Sequence, residues 1–289
     1  MGEAIVAVPL ADWSGARSEP QWVEAVEAGR VLFLPRLAFR LDAAETALLA
    51  PELLAKGARN ISLDAQGRLK GAAGDAPTKA AVAALMGRFA QQARALIQGL
   101  FPAYDAHLRP APTSLRPTEV STRRQSVKAD DRRLHVDAFP SRPNYGERIL
   151  RVFCNVNPQG QDRIWRVGEP FAQAARRYLP QARPYSAWQA KLLHSLRVTK
   201  SVRSEYDHLM LQMHDRMKAD EAWQRQAPQQ TVAFPSGSTW VCFSDHTVHA
   251  AMSGQHLLEQ TFHLPMDRQY APEASPLAIL TRLQGHPLI

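Results

Sequence analysis

Apolar positions recur at helical spacing through the first hundred residues and at alternate positions through much of the second half. The clearest helix is predicted over 79–101, where Val82, Leu85, Met86, Phe89, Ala93, Leu96, Ile97 and Leu100 form one apolar face and Pro102 ends the run. Shorter helices are predicted over 20–30 and 41–56, a strand over 31–35, and a hairpin over 61–71 that turns at Ala65-Gln66-Gly67. Beyond Pro110 the character changes, and 113–121 and 133–138 read as short extended segments. The best strand is ERILRVFCNVNP, residues 147–158. Leu150, Val152, Cys154 and Val156 share one face, suited to a core, while Arg151, Phe153 and Asn155 share the other, suited to a polar cavity. Helices are expected over 169–178, 186–196 and 205–220, then strands over 230–234, 239–243 and 257–264, the first two joined by a Pro235-Ser236-Gly237 turn.

This order predicts an α+β protein with a double-stranded β-helix core, the cupin-type jelly roll. The expectation is a single domain over 1–289, with 1–110 a mostly helical flank and 111–289 the jelly-roll core, interrupted by a helical insertion at about 169–220. The N-terminal helices should cover the outer face of one sheet.

Composition adds limits. With 289 residues, 45% of them hydrophobic, the chain can bury a sizeable core. Cys154 and Cys242 lie in apolar runs and read as buried, reduced core residues. The start, MGEAIVAVPLADWSG, has no basic segment before its apolar run and no cleavage site, and no apolar run nears the ~20 residues that cross a bilayer. The expected location is therefore the cytoplasm. The net charge of +8 favours anionic partners. Much of it is local: Arg109, Arg116, Arg123, Arg124, Lys128, Arg132, Arg133, Arg142, Arg148 and Arg151 crowd one stretch, with Asp130 and Asp131 interleaved.

Candidate chemistry sits inside that stretch. His135-Val136-Asp137, if extended, presents an imidazole and a carboxylate to the same side. A second histidine would complete a facial triad of the kind that holds non-haem iron(II) with open positions. The run SDHTVHAAMSG offers His246 and His249; small Ala250 and Ala251 leave room beside His249, but spacing alone does not separate the two. His107, His194, His208, His214, His256, His263 and His286 read as surface or satisfied core residues. No H-E-x-x-H, zinc-spaced cysteine pair, glycine-rich phosphate loop or nucleic-acid fold signature occurs, and no nucleic-acid partner is expected. A 2-oxoglutarate cosubstrate would need a fixed cation for its far carboxylate, and Arg151 is the candidate on the cavity-facing side of its strand.

The run DDRRLHVDAFPSRPNYGERILRVFCNVNP, with GSTWVCFSD and HAAMSGQHLLEQTF downstream, resembles the bacterial Kdo hydroxylases, closely over 113–265 and more loosely before. The resemblance implies an Fe(II)- and 2-oxoglutarate-dependent dioxygenase that uses O2 to hydroxylate carbon 3 of a 3-deoxy-D-manno-oct-2-ulosonic acid (Kdo) unit on lipid A, forming Ko in the lipopolysaccharide inner core. It implies His135, Asp137 and His249 as iron ligands, with Arg151, Asn155 and Gln260 toward the cosubstrate. Arg116, Arg133 and Arg142 are candidates for the anionic substrate, and the enzyme would meet Kdo-lipid A at the cytoplasmic face of the inner membrane as a peripheral protein. The usual position for an arginine on the distal strand holds Glu259-Gln260, a departure from the common superfamily pattern. The competing readings are a 2-oxoglutarate oxygenase on another anionic substrate, a metal-binding cupin without oxygenase activity, and a noncatalytic basic protein.

Overall fold

The structure, a computed structural model, describes residues 4–122 and 125–289. In chain order its strands are β1 (Ile5–Ala7), β2 (Val31–Leu34), β3 (Ile61–Leu63), β4 (Leu69–Lys70), β5 (Arg109–Pro110), β6 (Thr113–Arg116), β7 (Arg148–Asn155), β8 (Arg163–Val167), β9 (Gln230–Phe234), β10 (Thr239–Phe243), β11 (His249–Ser253) and β12 (Leu257–Leu264). The helices are α1 (Pro20–Glu27), α2 (Ala43–Ala47), α3 (Ala76–Leu100), α4 (Phe171–Tyr178), α5 (Ala187–Ser195), α6 (Glu205–Ala219), α7 (Glu221–Gln226) and α8 (Pro276–Gln284).

Two sheets face each other. The larger, nine-stranded one runs β1-β2-β10-β7-β12-β6-β3-β4, with β5 also on β12; the smaller runs β11-β8-β9. All neighbours are antiparallel except β1 and β2. This is the expected jelly roll, and the alternation of β7 explains its layering. Leu150, Val152, Cys154 and Val156 point outward into a core that includes Val82, Leu85, Met86, Phe89, Leu96 and Leu100 of α3. Phe153 points inward, against Trp165 of β8 and Trp240 of β10, and these rings close one end of the space between the sheets. A third cluster joins Leu134, Val136, Val248 and Ala250 to the helices α4 and α6 behind the smaller sheet.

α3 starts where the Asp75 carboxylate accepts the Thr78 N–H and Pro77 occupies the first turn. The expected helix over 41–56 is instead two pieces, α2 and a 3-10 turn over Pro51–Leu53. Pro51 supplies the break: it drives Ala50 to ψ 129, outside the helical region. The segment 1–110 does more than cover a sheet, since β1 to β4 extend the larger sheet at both edges. Two core strands, β8 and β11, were not expected from the sequence. Cys154 and Cys242 are free and buried. They face opposite sides of the larger sheet, which rules out a bridge between them. Among the described residues no helix is long and apolar enough to cross a membrane.

Candidate metal centre and its cavity

The 134–137 segment lies beside β11. His135 and His249 form an antiparallel pair that exchanges both backbone hydrogen bonds, at 3.0 and 2.9 Å, so their side chains emerge on the same face. The expected strand over 133–138 is thus a single bridged pair, but its alternation holds: Leu134 and Val136 are buried behind, while His135 and Asp137 face the cavity. The Asp137 N–H donates to the Ser244 carbonyl at 2.8 Å, which fixes the end of the segment.

One donor atom each from His135, Asp137 and His249 lies within 4.8 Å of the others, the one such cluster among the described residues. His135 Nδ1 is 2.7 Å from the Arg133 carbonyl and His249 Nδ1 2.8 Å from the Thr247 carbonyl. Each carbonyl requires a proton on Nδ1, which leaves Nε2 with its lone pair toward the cavity. Burial pushes the His135 imidazolium down to about 4 and lowers His249 as well, so both rings are neutral donors near pH 7. Burial opposes ionisation of Asp137, but the Arg151 guanidinium beside it holds the carboxyl well below its usual range. Two neutral imidazoles and one carboxylate fit a non-haem iron(II) centre.

His246 stands elsewhere. It is buried edge-on to Phe171, in a different cavity with Gly29 and Val248, and so the choice between the two histidines falls to His249.

The metal-site cavity, of about 270 Å³, is lined by both sheets. Trp165 stacks on the His249 ring at 5.0 Å, and Phe153, Leu257 and Ala251 complete an apolar wall. Arg59, Arg116, Arg151, Arg163, Asp131 and Glu259 line the cavity as well. Arg151 faces the cavity, as its strand parity predicts. Its Nη2 lies 2.9 Å from Asp137 Oδ2 and its Nη1 3.0 Å from Glu259 Oε1. Arg151 therefore braces a candidate metal ligand, and two carboxylates already offset its charge. Arg163 enters from β8, almost fully buried, with Nη1 on the Gly254 carbonyl at 3.1 Å. Arg116 reaches Glu259 at 3.0 Å and Asp131 at 3.9 Å.

The other expected site residues divide. Asn155 does not line the cavity: its amide donates to the Gln161 and Phe234 carbonyls and its Oδ1 accepts the Asn157 N–H, fastening the β7–β8 connection. Gln260 points away, bonded to Thr113 Oγ1 and the Ala111 carbonyl, because it shares its β12 face with the core residues Leu258 and Phe262. The residue that does face the metal is its neighbour Glu259. Arg133 turns to the helices, donating to the Lys218 carbonyl and pairing with Glu221 at 2.5 Å. Arg142 lines an adjoining groove with Arg68, Lys70 and Phe139, which shares Asn60, Arg116 and Glu259 with the metal cavity. Arg132 pairs with Asp130, and Arg123 and Arg124 lie outside the described residues.

A family model described as 3-deoxy-D-manno-oct-2-ulosonic acid (Kdo) hydroxylase matches residues 12–287. Comparison with curated protein sequences gave no match. Among solved structures, the Kdo hydroxylase KdoO in complex with cobalt(II), described as a non-heme Fe(II) α-ketoglutarate-dependent dioxygenase, is 43% identical with a TM-score of 0.96, covering 99% of this chain and 98% of that one. KdoO with α-ketoglutarate and Fe(III), and KdoO with succinate and Fe(III), are each 42% identical with TM-scores of 0.95 over the same shares of both chains. Matched from end to end by the family model and by a metal-binding relative, this chain belongs to the Kdo hydroxylase family of non-heme Fe(II)/2-oxoglutarate-dependent dioxygenases.

Proposed function

We propose that the enzyme hydroxylates carbon 3 of a Kdo unit attached to lipid A, forming Ko of the lipopolysaccharide inner core, as a peripheral protein at the cytoplasmic face of the inner membrane. The observation that carries this reading is the charge of the cavity around the triad. Among the described residues, four guanidinium groups (Arg59, Arg116, Arg151 and Arg163) and three carboxylates (Asp131, Asp137 and Glu259) line it, an excess of one positive charge. Iron(II) would add two more. A 2-oxoglutarate dianion and the single carboxylate of a Kdo unit together offset all three.

When bound, iron(II) couples the oxidative decarboxylation of 2-oxoglutarate by dioxygen to insertion of one oxygen atom into a C–H bond. The chain's own residues bind, orient and exclude water. His135, Asp137 and His249 hold the metal, and Arg151 keeps the Asp137 carboxylate in place. The far carboxylate of 2-oxoglutarate falls to an arginine of the cavity lining, Arg151 or Arg163, of which Arg151 also holds Asp137 and Glu259. Phe153, Trp165 and Leu257 keep the reacting centre dry. Arg116 and Arg142 border the route by which a sugar acid and its anionic neighbours would enter.

The test is turnover of Kdo-lipid A by iron(II)-loaded enzyme with 2-oxoglutarate in air, with the new hydroxyl located by NMR. A hydroxyl on carbon 3 is expected. Succinate formation stimulated by a different anionic acceptor, with none from Kdo-lipid A, would replace the substrate and keep the oxygenase.

A further inference from the structure

The helical insertion between β8 and β9 contains a surface that the catalytic site does not use. In α5 only Ala190 is buried. Trp188 is 69% exposed, Leu196 63% and Val198 54%, and Leu192 is exposed as well. Trp188, Leu192 and Leu196 follow one another at i, i+4 and i+8, so they form one stripe down a single face of the helix. Just past it, Arg197 takes a left-handed φ of 57°, and the turn is held by hydrogen bonds from the Arg197 and Val198 N–H groups to the His194 and Leu193 carbonyls. That turn sets Leu196 and Val198 outward on either side of an arginine.

Charge identifies the occupant. From Leu179 to Ser204 the sequence has no aspartate or glutamate, yet it carries Arg183, Lys191, Arg197, Lys200 and Arg203. An indole and aliphatic side chains on a stretch of chain that carries five cations and no acid complement an anionic lipid surface: the apolar tips enter the acyl boundary and the cations meet headgroup phosphates.

The patch is also fastened to the mouth of the site. The Lys200 N–H donates to the Ser141 carbonyl at 2.9 Å, Arg203 Nη2 to the Pro140 carbonyl at 2.6 Å, and Tyr145 Oη to the Val202 carbonyl. The tethered loop carries Phe139 and Arg142, which line the groove that opens into the metal cavity. We infer that α5 and the turn after it dock the enzyme on an anionic bilayer and so bring the cavity mouth to the membrane plane. This deepens, and rests on, the reading that the acceptor is an anionic glycolipid.

The experiment uses full-length, iron(II)-loaded enzyme and acceptor-free vesicles of phosphatidylcholine, with and without phosphatidylglycerol, read by co-sedimentation. Wild type should sediment with the anionic vesicles and release with salt. Trp188→Ser/Leu196→Ser should weaken that binding at least about tenfold. Lys191→Gln/Arg197→Gln/Lys200→Gln should weaken it by about fivefold per cation and remove most of the salt sensitivity. Both variants should keep wild-type turnover on detergent-dispersed acceptor and lose it on acceptor embedded in vesicles. Wild-type sedimentation by both variants would overturn the assignment. So would a wild-type oligomer that the serine variant dissociates, because the patch would then be an interface between copies. Failure of wild type on dispersed Kdo-lipid A would instead refute the substrate reading, while the acceptor-free vesicle result would still decide the docking surface.

Discussion

Arg148 and Asp245 form an ion pair with no solvent exposure, and its disruption gives a prediction that can be sized. Arg148 Nε donates to Asp245 Oδ2 at 2.7 Å, and Asp245 Oδ1 accepts the Ile149 N–H at 3.0 Å. The guanidinium lies over the Phe243 ring at 3.9 Å, and its two Nη atoms have no hydrogen-bond partner. The intact pair therefore adds little net stability, since desolvation offsets most of its attraction. Breaking it is another matter. Asp245→Asn keeps the shape and can keep the acceptor for Ile149, but sets an amide donor against Arg148 Nε and strands a buried cation. The expected cost is about 3–5 kcal/mol. With a urea slope of about 3 kcal/mol/M, the midpoint should fall by about 1–1.7 M. Arg148→Met should cost a similar amount by stranding the carboxylate. The double variant Arg148→Met/Asp245→Asn should cost clearly less than the two single changes together, because neither charge is left alone. Asp245 also lies in the turn between β10 and β11 that delivers His249, so the single variants should bind cobalt(II) more weakly. Urea unfolding of metal-free protein is the assay. A midpoint shift under about 0.3 M for Asp245→Asn, or strictly additive costs, would refute the reasoning.

Four further outcomes are expected. His135→Ala, Asp137→Ala and His249→Ala should each abolish stoichiometric cobalt(II) binding in a spectral titration, whereas His246→Ala should retain it. Arg151→Gln should weaken metal binding through Asp137 in a metal titration, and whichever of Arg151→Gln and Arg163→Gln removes the cosubstrate cation should raise the KM for 2-oxoglutarate about a hundredfold in initial rates. Trp165→Leu, which removes the ring stacked on His249, should raise the fraction of succinate formed without hydroxylated product, measured as the succinate-to-product ratio. Stability should depend on pH through His246, whose burial lowers it from 6.5 to about 3. The unfolded ring takes up a proton below 6.5 and the folded one does not, so stability is lost as pH falls, by about 2 kcal/mol between 6.5 and 4.5. His246→Gln should remove about one proton from that slope in urea midpoints measured across the range.

What could be read from the sequence follows from how strongly side-chain parity was marked. From Leu150 onward every outward residue of β7 is apolar, so its inward face could be assigned, and Arg151 and Phe153 are where that parity puts them. The same parity in β12 places Leu258, Phe262 and Leu264 in the core and so turns Gln260 away; placing Gln260 toward the cosubstrate overlooked this, and Glu259 was the legible choice. β8 was missed because its pattern is inverted: Arg163, Trp165 and Val167 are buried while Ile164 and Arg166 are only partly covered. An inward arginine looks like a surface residue until the cavity it lines is known. β11 was missed because His-Ala-Ala-Met-Ser carries little strand propensity, and its place is set by pairing with β8 and His135. Arg59 and Asn60 reach the cavity from the flank through the fold alone, and no local signal marks them. His135 and Asp137 were legible because they lie two apart, whereas spacing offered His246 and His249 alike as the third ligand and only the resemblance favoured His249.

The most direct test of the central claim, that His135, Asp137 and His249 support a 2-oxoglutarate-coupled hydroxylation of Kdo, is a single turnover with isotopically labelled dioxygen. Enzyme is loaded with iron(II) and 2-oxoglutarate without air, mixed with Kdo-lipid A, then exposed to the labelled gas. The account predicts one labelled oxygen in the sugar and one in succinate, in equal amounts, with both lost in His135→Ala. Unlabelled sugar, or sugar labelling that survives in His135→Ala, would contradict it.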